Sequence, residues 1–295
     1  MDDEREGTSI ECPGCRVKLV EPQTRDLYQT DIPPIEPVVT KFVVHGGTCP
    51  CCGKYRQGRH EEQITDPTPV VTNVLGPRVL GMAADWKHRL GIVYRKISEL
   101  FDTCFSLKVS AGALSRAEVR FAQRALPTYE WLIEALRKAG VVHADETGWR
   151  VSRRNAWLWV FASKDITIYA IRFSRGSEVP ADMLGEDFDD WLSRADGRHA
   201  DVIRLAKHLR KHRHEWLLFL YDPDIPATNN HGERQIRPGV ILRKLGSCHR
   251  EILHAVAHEI TASLTTTCRQ RGHPFLTLAK QLWLSRTPRA IPIPA

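Results

Sequence analysis

Two acids in unusual company mark where this chain could do chemistry. Asp145 lies in Val141-Val-His-Ala-Asp-Glu-Thr-Gly-Trp-Arg-Val151, where a short apolar run ends on a carboxylate, as a strand delivering an acid to a sheet edge would. Glu233 lies in Pro226-Ala-Thr-Asn-Asn-His-Gly-Glu-Arg-Gln-Ile-Arg-Pro238, among amides and arginines. Hard divalent cations take carboxylate oxygens, and phosphoryl transfer uses such ions to bridge the attacking and leaving oxygens. Two separated carboxylates in basic settings therefore point to a metal site acting on phosphate esters. Glu146, next to Asp145, would face the other side of the strand and is the weaker ligand. Thr228 and the two asparagines are good cap residues, which places Glu233 in the first turn of a helix. Taken alone, Glu233 also fits a first-turn acid favoured by the helix dipole. Arg234, Arg237, Arg243 and Lys244 would form a phosphate-gripping face, although any one of them singly fits a solvated helix surface.

A second kind of chemistry sits near the N-terminus. Cys12 and Cys15 form one Cys-x-x-Cys pair, and Cys49 and Cys52 form another. Each such turn can aim two thiolates at one ion, and two turns complete a tetrahedron, so these four are the expected ligands of a structural zinc. Cys51 is left over. The 33 residues between the pairs exceed the spacing of short zinc fingers and imply a zinc-ribbon-like lobe with an inserted hairpin. His45 and His60 read as surface residues.

The elements that must hold these groups are visible in the periodicity. Residues 1–66 form the cysteine-bearing, proline-punctuated lobe, and Asp66-Pro-Thr-Pro69 reads as a linker. Residues 67–139 form a helical region: Leu80, Trp86, Leu90, Val93, Ile97, Leu100 and Phe101 recur at steps of three and four. Ser110 is the expected N-cap of a second helix, and Leu126-Pro127 the expected start of a third, closed by Gly140. From Gly140 the period changes. Ala156–Phe161 and Ile166–Phe173 are β-branched and aromatic, which predicts an antiparallel three-strand meander with Asp145 on its first strand. Trp149 reads as a cap on that strand's end. Residues 200–221, 229–243 and 251–270 read as helices. Residues 140–287 thus form a third region of strands and helices, and 288–295 a disordered tail. The fold class is α+β.

Composition narrows the setting. The formal charge is +7, from 42 Lys and Arg against 35 Asp and Glu, which favours polyanionic partners such as nucleic acid. No apolar run approaches the roughly 20 residues that span a bilayer, so no membrane partner is expected. The acidic start, Met1-Asp-Asp-Glu-Arg-Glu, does not read as a secretory signal. Five of the eight cysteines fall within the first 52 residues, a distribution that fits a reducing compartment with a local metal site.

In order along the chain, these stretches resemble the transposases of the insertion-sequence-66 family, DDE-type enzymes on a ribonuclease-H-like fold. The Cys-x-x-Cys pairs look like that family's zinc-binding region. Arg95-Lys-Ile-Ser98 and Val109-Ser-Ala-Gly-Ala-Leu114 look like its central helical region. His143–Val151 with Trp157-Leu-Trp-Val160 is similar to the segment bearing the first catalytic Asp. Thr228–Arg234 followed by Arg237-Pro238 and Arg243-Lys244 is similar to the segment bearing the catalytic Glu. The resemblance implies that Asp145 and Glu233 are the first and third acids, holding Mg2+ or Mn2+. For the second acid it offers Asp196, with a one-residue slip, and Asp187, Asp189, Asp190 and Asp201 are rivals. It also implies DNA ends and target DNA as partners, a homo-oligomer on DNA, and a bacterial cytoplasmic, nucleoid-associated location. Only 36 residues separate Asp196 from Glu233, and the family's usual intervening segment is missing. An internal deletion is the simplest account, so the expected function is either DNA strand cleavage and transfer, or that of an inactive remnant keeping zinc and DNA binding.

Overall fold

The structure is a computed structural model. It describes residues 11–12, 14–18, 20, 27–28, 30–33, 35–65, 74–176, 178–184, 229–246 and 248–294. The chain divides into two compact units, Met1–Ile35 and Glu36–Ala295. Asp66–Pro69, expected to be a linker, lies outside the described residues; just before it Ile64 is buried and its carbonyl accepts from Arg124 Nη2 at 3.1 Å. In the first unit the described backbone turns tightly at Cys12–Arg16 and makes one antiparallel bridge, Glu11 to Lys18.

The second unit opens with a small hairpin, β1 (Gly46–Thr48) and β2 (Tyr55–Gln57). Three helices follow: α1 (Pro77–His88), α2 (Tyr94–Phe105) and α3 (Ala111–Arg137). Pro127 was expected to begin a helix, but it lies inside α3, which runs on unbroken. Proline forfeits only the bond to the Gln123 carbonyl. Ala125, Thr128, Tyr129 and Leu132, all buried, pack the helix on both sides of it and outweigh that loss. Ser110 caps α3 as expected, its Oγ accepting from the Ala113 amide at 3.1 Å. The helix ends at Arg137, before Gly140.

β3 (His143–Val151), β4 (Arg154–Ala162) and β5 (Thr167–Arg172) then form the expected antiparallel meander, in the order β3-β4-β5. Its two faces bury different partners. Leu158, Val160, Tyr169 and Ile171 pack with Ile236 of α5 (Asn230–Gly246). Trp159, Phe161, Ile168 and Ala170 pack with α3 and with α6 (Ile252–Gln270). A short helix, α4 (Glu178–Leu184), lies between the meander and α5 in sequence.

α6 also closes the sheet edge. The β5 amides of Ile171, Tyr169 and Thr167 donate to Glu259 Oε1, Ser263 Oγ and Thr267 Oγ1, at 2.7, 2.8 and 3.1 Å. Side chains at four-residue steps on one helix face thus satisfy alternate amides of an edge strand that would otherwise recruit another chain.

α7 (Phe275–Leu284), not foreseen from the sequence, packs on α1 so closely that a Cβ on Gly81 would lie 3.0 Å from Leu276. The C-terminal stretch expected to be disordered is held in place. Ile293 is buried, its carbonyl accepts from Arg271 Nη1, and the Ile291 amide donates to Thr128 Oγ1 at 2.9 Å. The stretch 200–221 lies outside the described residues.

Candidate functional site

Asp145 is the third residue of a nine-residue strand, so β3 carries on past it rather than ending on it. It pairs with Val160 and shares a sheet side with Thr147, Trp149 and Val151, the side that α5 covers. Glu146 faces the other way, where Arg175 Nε donates to its Oε1 at 2.7 Å while the guanidinium stacks over Trp157. Asp145 is half-buried, and its Oδ1 accepts from the Glu146 amide at 2.8 Å. Burial raises its pKa above the usual carboxylate value, and the negative charges of Glu146 and Glu233 add to the rise against that hydrogen bond. Asp145 and Glu233, 88 residues apart in sequence, thus lie within electrostatic reach of each other.

The first turn of α5 is fastened to the sheet from two directions. Asn229 Nδ2 donates to the Ala144 carbonyl at 3.2 Å, next to Asp145. His231 Nε2 donates to the Ser163 carbonyl at 2.8 Å, where β4 ends. Gly232 is buried beneath the Asn229 side chain, and a Cβ there would come within 2.7 Å of Asn229 Oδ1. The Glu233 amide bonds the Asn229 carbonyl at 3.0 Å, which places this exposed acid in the first turn, as its sequence context implied. His143 faces His231 across 5.5 Å, and its pKa is lowered by burial and by that neighbour's charge. Asn229, His231 and His143 were not singled out as site residues, although two of them lie inside the Asn-Asn-His-Gly-Glu stretch.

The basic residues of α5 divide by environment. Arg234, Arg237 and Lys244 are exposed. Arg243 is half-buried: its Nη1 donates to Thr147 Oγ1 at 3.0 Å and to the Gly148 carbonyl, so it pins the helix to β3 instead of facing solvent as expected. Trp149, expected to cap the strand end, is buried within it against His249 and His258. Asp196, like its rivals Asp187, Asp189, Asp190 and Asp201, lies outside the described residues. Among the described residues no group of three or more His, Cys, Asp or Glu is arranged to hold a metal ion.

The two cysteine turns repeat one backbone design. The Cys12 amide donates to the Val17 carbonyl and the Arg16 amide to the Cys12 carbonyl, with Arg16 at φ 58°. In the other, the Cys49 amide donates to the Lys54 carbonyl and the Gly53 amide to the Cys49 carbonyl, with Gly53 at φ 66°. In each turn the leading thiol is held below its usual pKa by hydrogen bonds from the next turn residues, Cys15 and Gly14 in one and Cys52 and Cys51 in the other. Such turns favour thiolate, the form that binds metal.

No helix among the described residues is long and apolar enough to cross a membrane. No curated protein and no solved structure matches the chain. The family model described as "Transposase IS66 family" matches residues 73–197 and 184–256, more than half of the sequence and both acid-bearing stretches. The chain belongs to the IS66 family of transposases.

Proposed function

We propose that the chain is a DDE-type transposase, with a ribonuclease-H-like catalytic domain at 140–287, that cleaves DNA strands at the ends of an insertion sequence and joins them to target DNA. The carrying observation is the fastened first turn of α5, which holds Glu233 beside the sheet where Asn229 meets Ala144, next to Asp145, near enough for its charge to act on that acid. Two acids whose charges disfavour each other suit a shared cation, and their oxygens suit Mg2+ or Mn2+. Asp196 is the proposed third ligand. Bound there, divalent ions would stabilise charge on the attacking and leaving oxygens of a phosphodiester. The protein's part is to hold both carboxylates at one sheet edge and to present Arg234, Arg237 and Lys244 to DNA phosphates. Cys12, Cys15, Cys49 and Cys52 are proposed to hold a structural zinc, which the matched turn geometry and favoured thiolates support.

Strand cleavage and joining on DNA carrying the element's own terminal sequences, with Mg2+ or Mn2+, tests this reading. Activity abolished by Asp145→Asn and by Glu233→Gln supports it, and activity indifferent to both refutes it. One observation favours a second reading, an internally deleted remnant that binds DNA without cutting it. The two family matches overlap at residues 184–197, as they would if the stretch joining them had been lost. Duplex binding with no cleavage in either metal ion would select that reading.

A further inference from the structure

We propose that the tip of the β3–β4 hairpin is a second docking point for duplex DNA, gripping its phosphate backbone away from the Asp145–Glu233 pair. The inference rests on the DNA-binding reading above and assigns it to residues outside α5. The tip turns on Ser152 and Arg153, with φ of 50° and 65°. Such two-residue turns favour Asn-Gly, because both positions require the left-handed region. Here an arginine occupies the position where glycine would be less strained, an arrangement that points to a use for the side chain.

Arg150, Arg153 and Arg154 are all exposed there. A fourth exposed arginine, Arg250, is brought to the same place by a strand-like rung. The His249 amide donates to the Arg150 carbonyl, the Ser152 amide to the His249 carbonyl, both at 3.1 Å, and Ser152 Oγ to the Arg250 carbonyl at 2.8 Å. None of the four forms an ion pair with a described residue, and Glu251, next in the chain, pairs with His254. Arg154 stacks over the half-exposed ring of Phe173 at 4.4 Å, which orients its guanidinium and leaves its N–H edge free. Unpaired guanidinium groups, of which Arg154 is already oriented by its ring contact, fit phosphate oxygens, and a phosphate contact positions a duplex without reading its sequence.

The spacing fits the same partner. At about 3.3 Å per residue, the seven to eight residues from Asp145 to the turn span about 25 Å. That is about seven base-pair steps of B-form DNA. α5 runs the same way, meeting β3 at Ala144 through Asn229 and at Thr147 and Gly148 through Arg243. A duplex with one phosphate at the acid pair and its axis along the hairpin would reach the tip about seven base pairs on.

The test is binding of the full chain to a labelled duplex of about 20 base pairs, long enough for that separation, followed by anisotropy across a salt series. Arg153→Gly with Arg154→Gln should weaken binding about tenfold or more, equally for unrelated sequences, and lower the log–log salt slope by about 1.8. Arg153→Gly alone should lower the slope by about 0.9 while raising the melting temperature, because glycine relieves the turn; weaker binding then cannot come from unfolding. An unchanged slope in the double variant, with wild type binding normally, overturns the docking point and leaves DNA binding standing. Wild type that fails to bind duplex overturns both. Anionic lipid vesicles that strip the wild type from DNA, but not the double variant, would reassign the tip to a membrane surface and overturn the proposal.

Discussion

At Glu259 a single buried carboxyl ties a sheet edge to solution pH. It accepts from the Ile171 amide, and Arg172 is its only charged neighbour among the described residues at hydrogen-bond range. Burial outweighs these partners and raises its pKa from 4.5 to about 7. Its folded pKa lies above its unfolded one, so its protonation stabilises the fold most below about pH 4.5, and that contribution is lost as pH rises to about 7. The swing is of order 3 kcal/mol. Glu259→Gln keeps an oxygen for Ile171 and removes the titration, so it should leave stability at pH 5 nearly unchanged and raise it at pH 8. Denaturant melts of both proteins at the two pH values check this; a variant less stable than wild type at pH 8 would show that the charged form is the one the fold prefers. Residues of this kind were not legible in the sequence, because what raises Glu259 is burial along β5, a contact across 88 positions. The places of Asp145 on the first strand and of Glu233 in a first helix turn could be read, since a short apolar run precedes one and cap residues precede the other. The hydrogen bonds of Arg243 to β3 were not readable, because a guanidinium that pins a strand and one that grips a phosphate look alike in a linear chain.

Elements are joined by a cluster of histidines that no local pattern announced. His88 of α1 donates Nε2 to Glu118 of α3 at 2.6 Å, and Lys87 takes the other carboxylate oxygen at the same distance. Burial would raise Glu118, but Lys87 and His88 hold it well below the usual value, so it is ionised and its charge is met by Lys87. The His88 ring lies 4.8 Å from that of His258 on α6, which lies 5.1 Å from His249, and both His249 and His258 pack on Trp149 of β3. Burial lowers all three imidazole pKa values, His249 to about 3, and Lys87, His254 and the rings' mutual repulsion act in the same direction against Glu118 and Asp85. With folded values below unfolded ones, stability is intact above about pH 6.5 and falls as pH drops, because the unfolded chain takes protons that the cluster refuses. His258→Phe should move the acid-unfolding midpoint down by about half a pH unit, read by circular dichroism; a midpoint that stays put would place the acid sensitivity elsewhere. The helices and meander that carry this cluster were readable from periodicity. Pro127 misled because packing on both sides of α3 overrides one missing hydrogen bond, and α7 and the C-terminal stretch were missed because their order comes from contacts with α1, Thr128 and Arg271.

Over the whole molecule, the question is whether the cysteine turns and the acid-bearing sheet depend on each other. The sheet, α3 and α6 share one apolar core in which Leu132, Leu264 and Ile168 are fully enclosed, and no cysteine of the two turns belongs to it. The turns rest on little burial: Cys15, Cys51 and Cys52 are exposed, as are all the residues of β1 and β2. A two-stranded hairpin of this size is marginal in water by itself, and a structural zinc contributes folding free energy directly. The proposed zinc therefore should govern the N-terminal region and leave the core alone. Purified under reducing conditions, the full chain should carry about one zinc per chain, four thiolates completing one tetrahedral site. Cys15→Ser should release it and make the region up to the end of β2, Gln57, accessible to protease. The main cooperative melt, which reports the core of α3, α6 and the sheet, should shift by less than about 1 kcal/mol equivalent, the scale of surface substitutions. Zinc retained by Cys15→Ser would remove that thiol from the ligand set. Zinc lost together with the main melt would show that the core leans on the metal, and the acid-bearing sheet could then not be treated as folding independently of the cysteine turns.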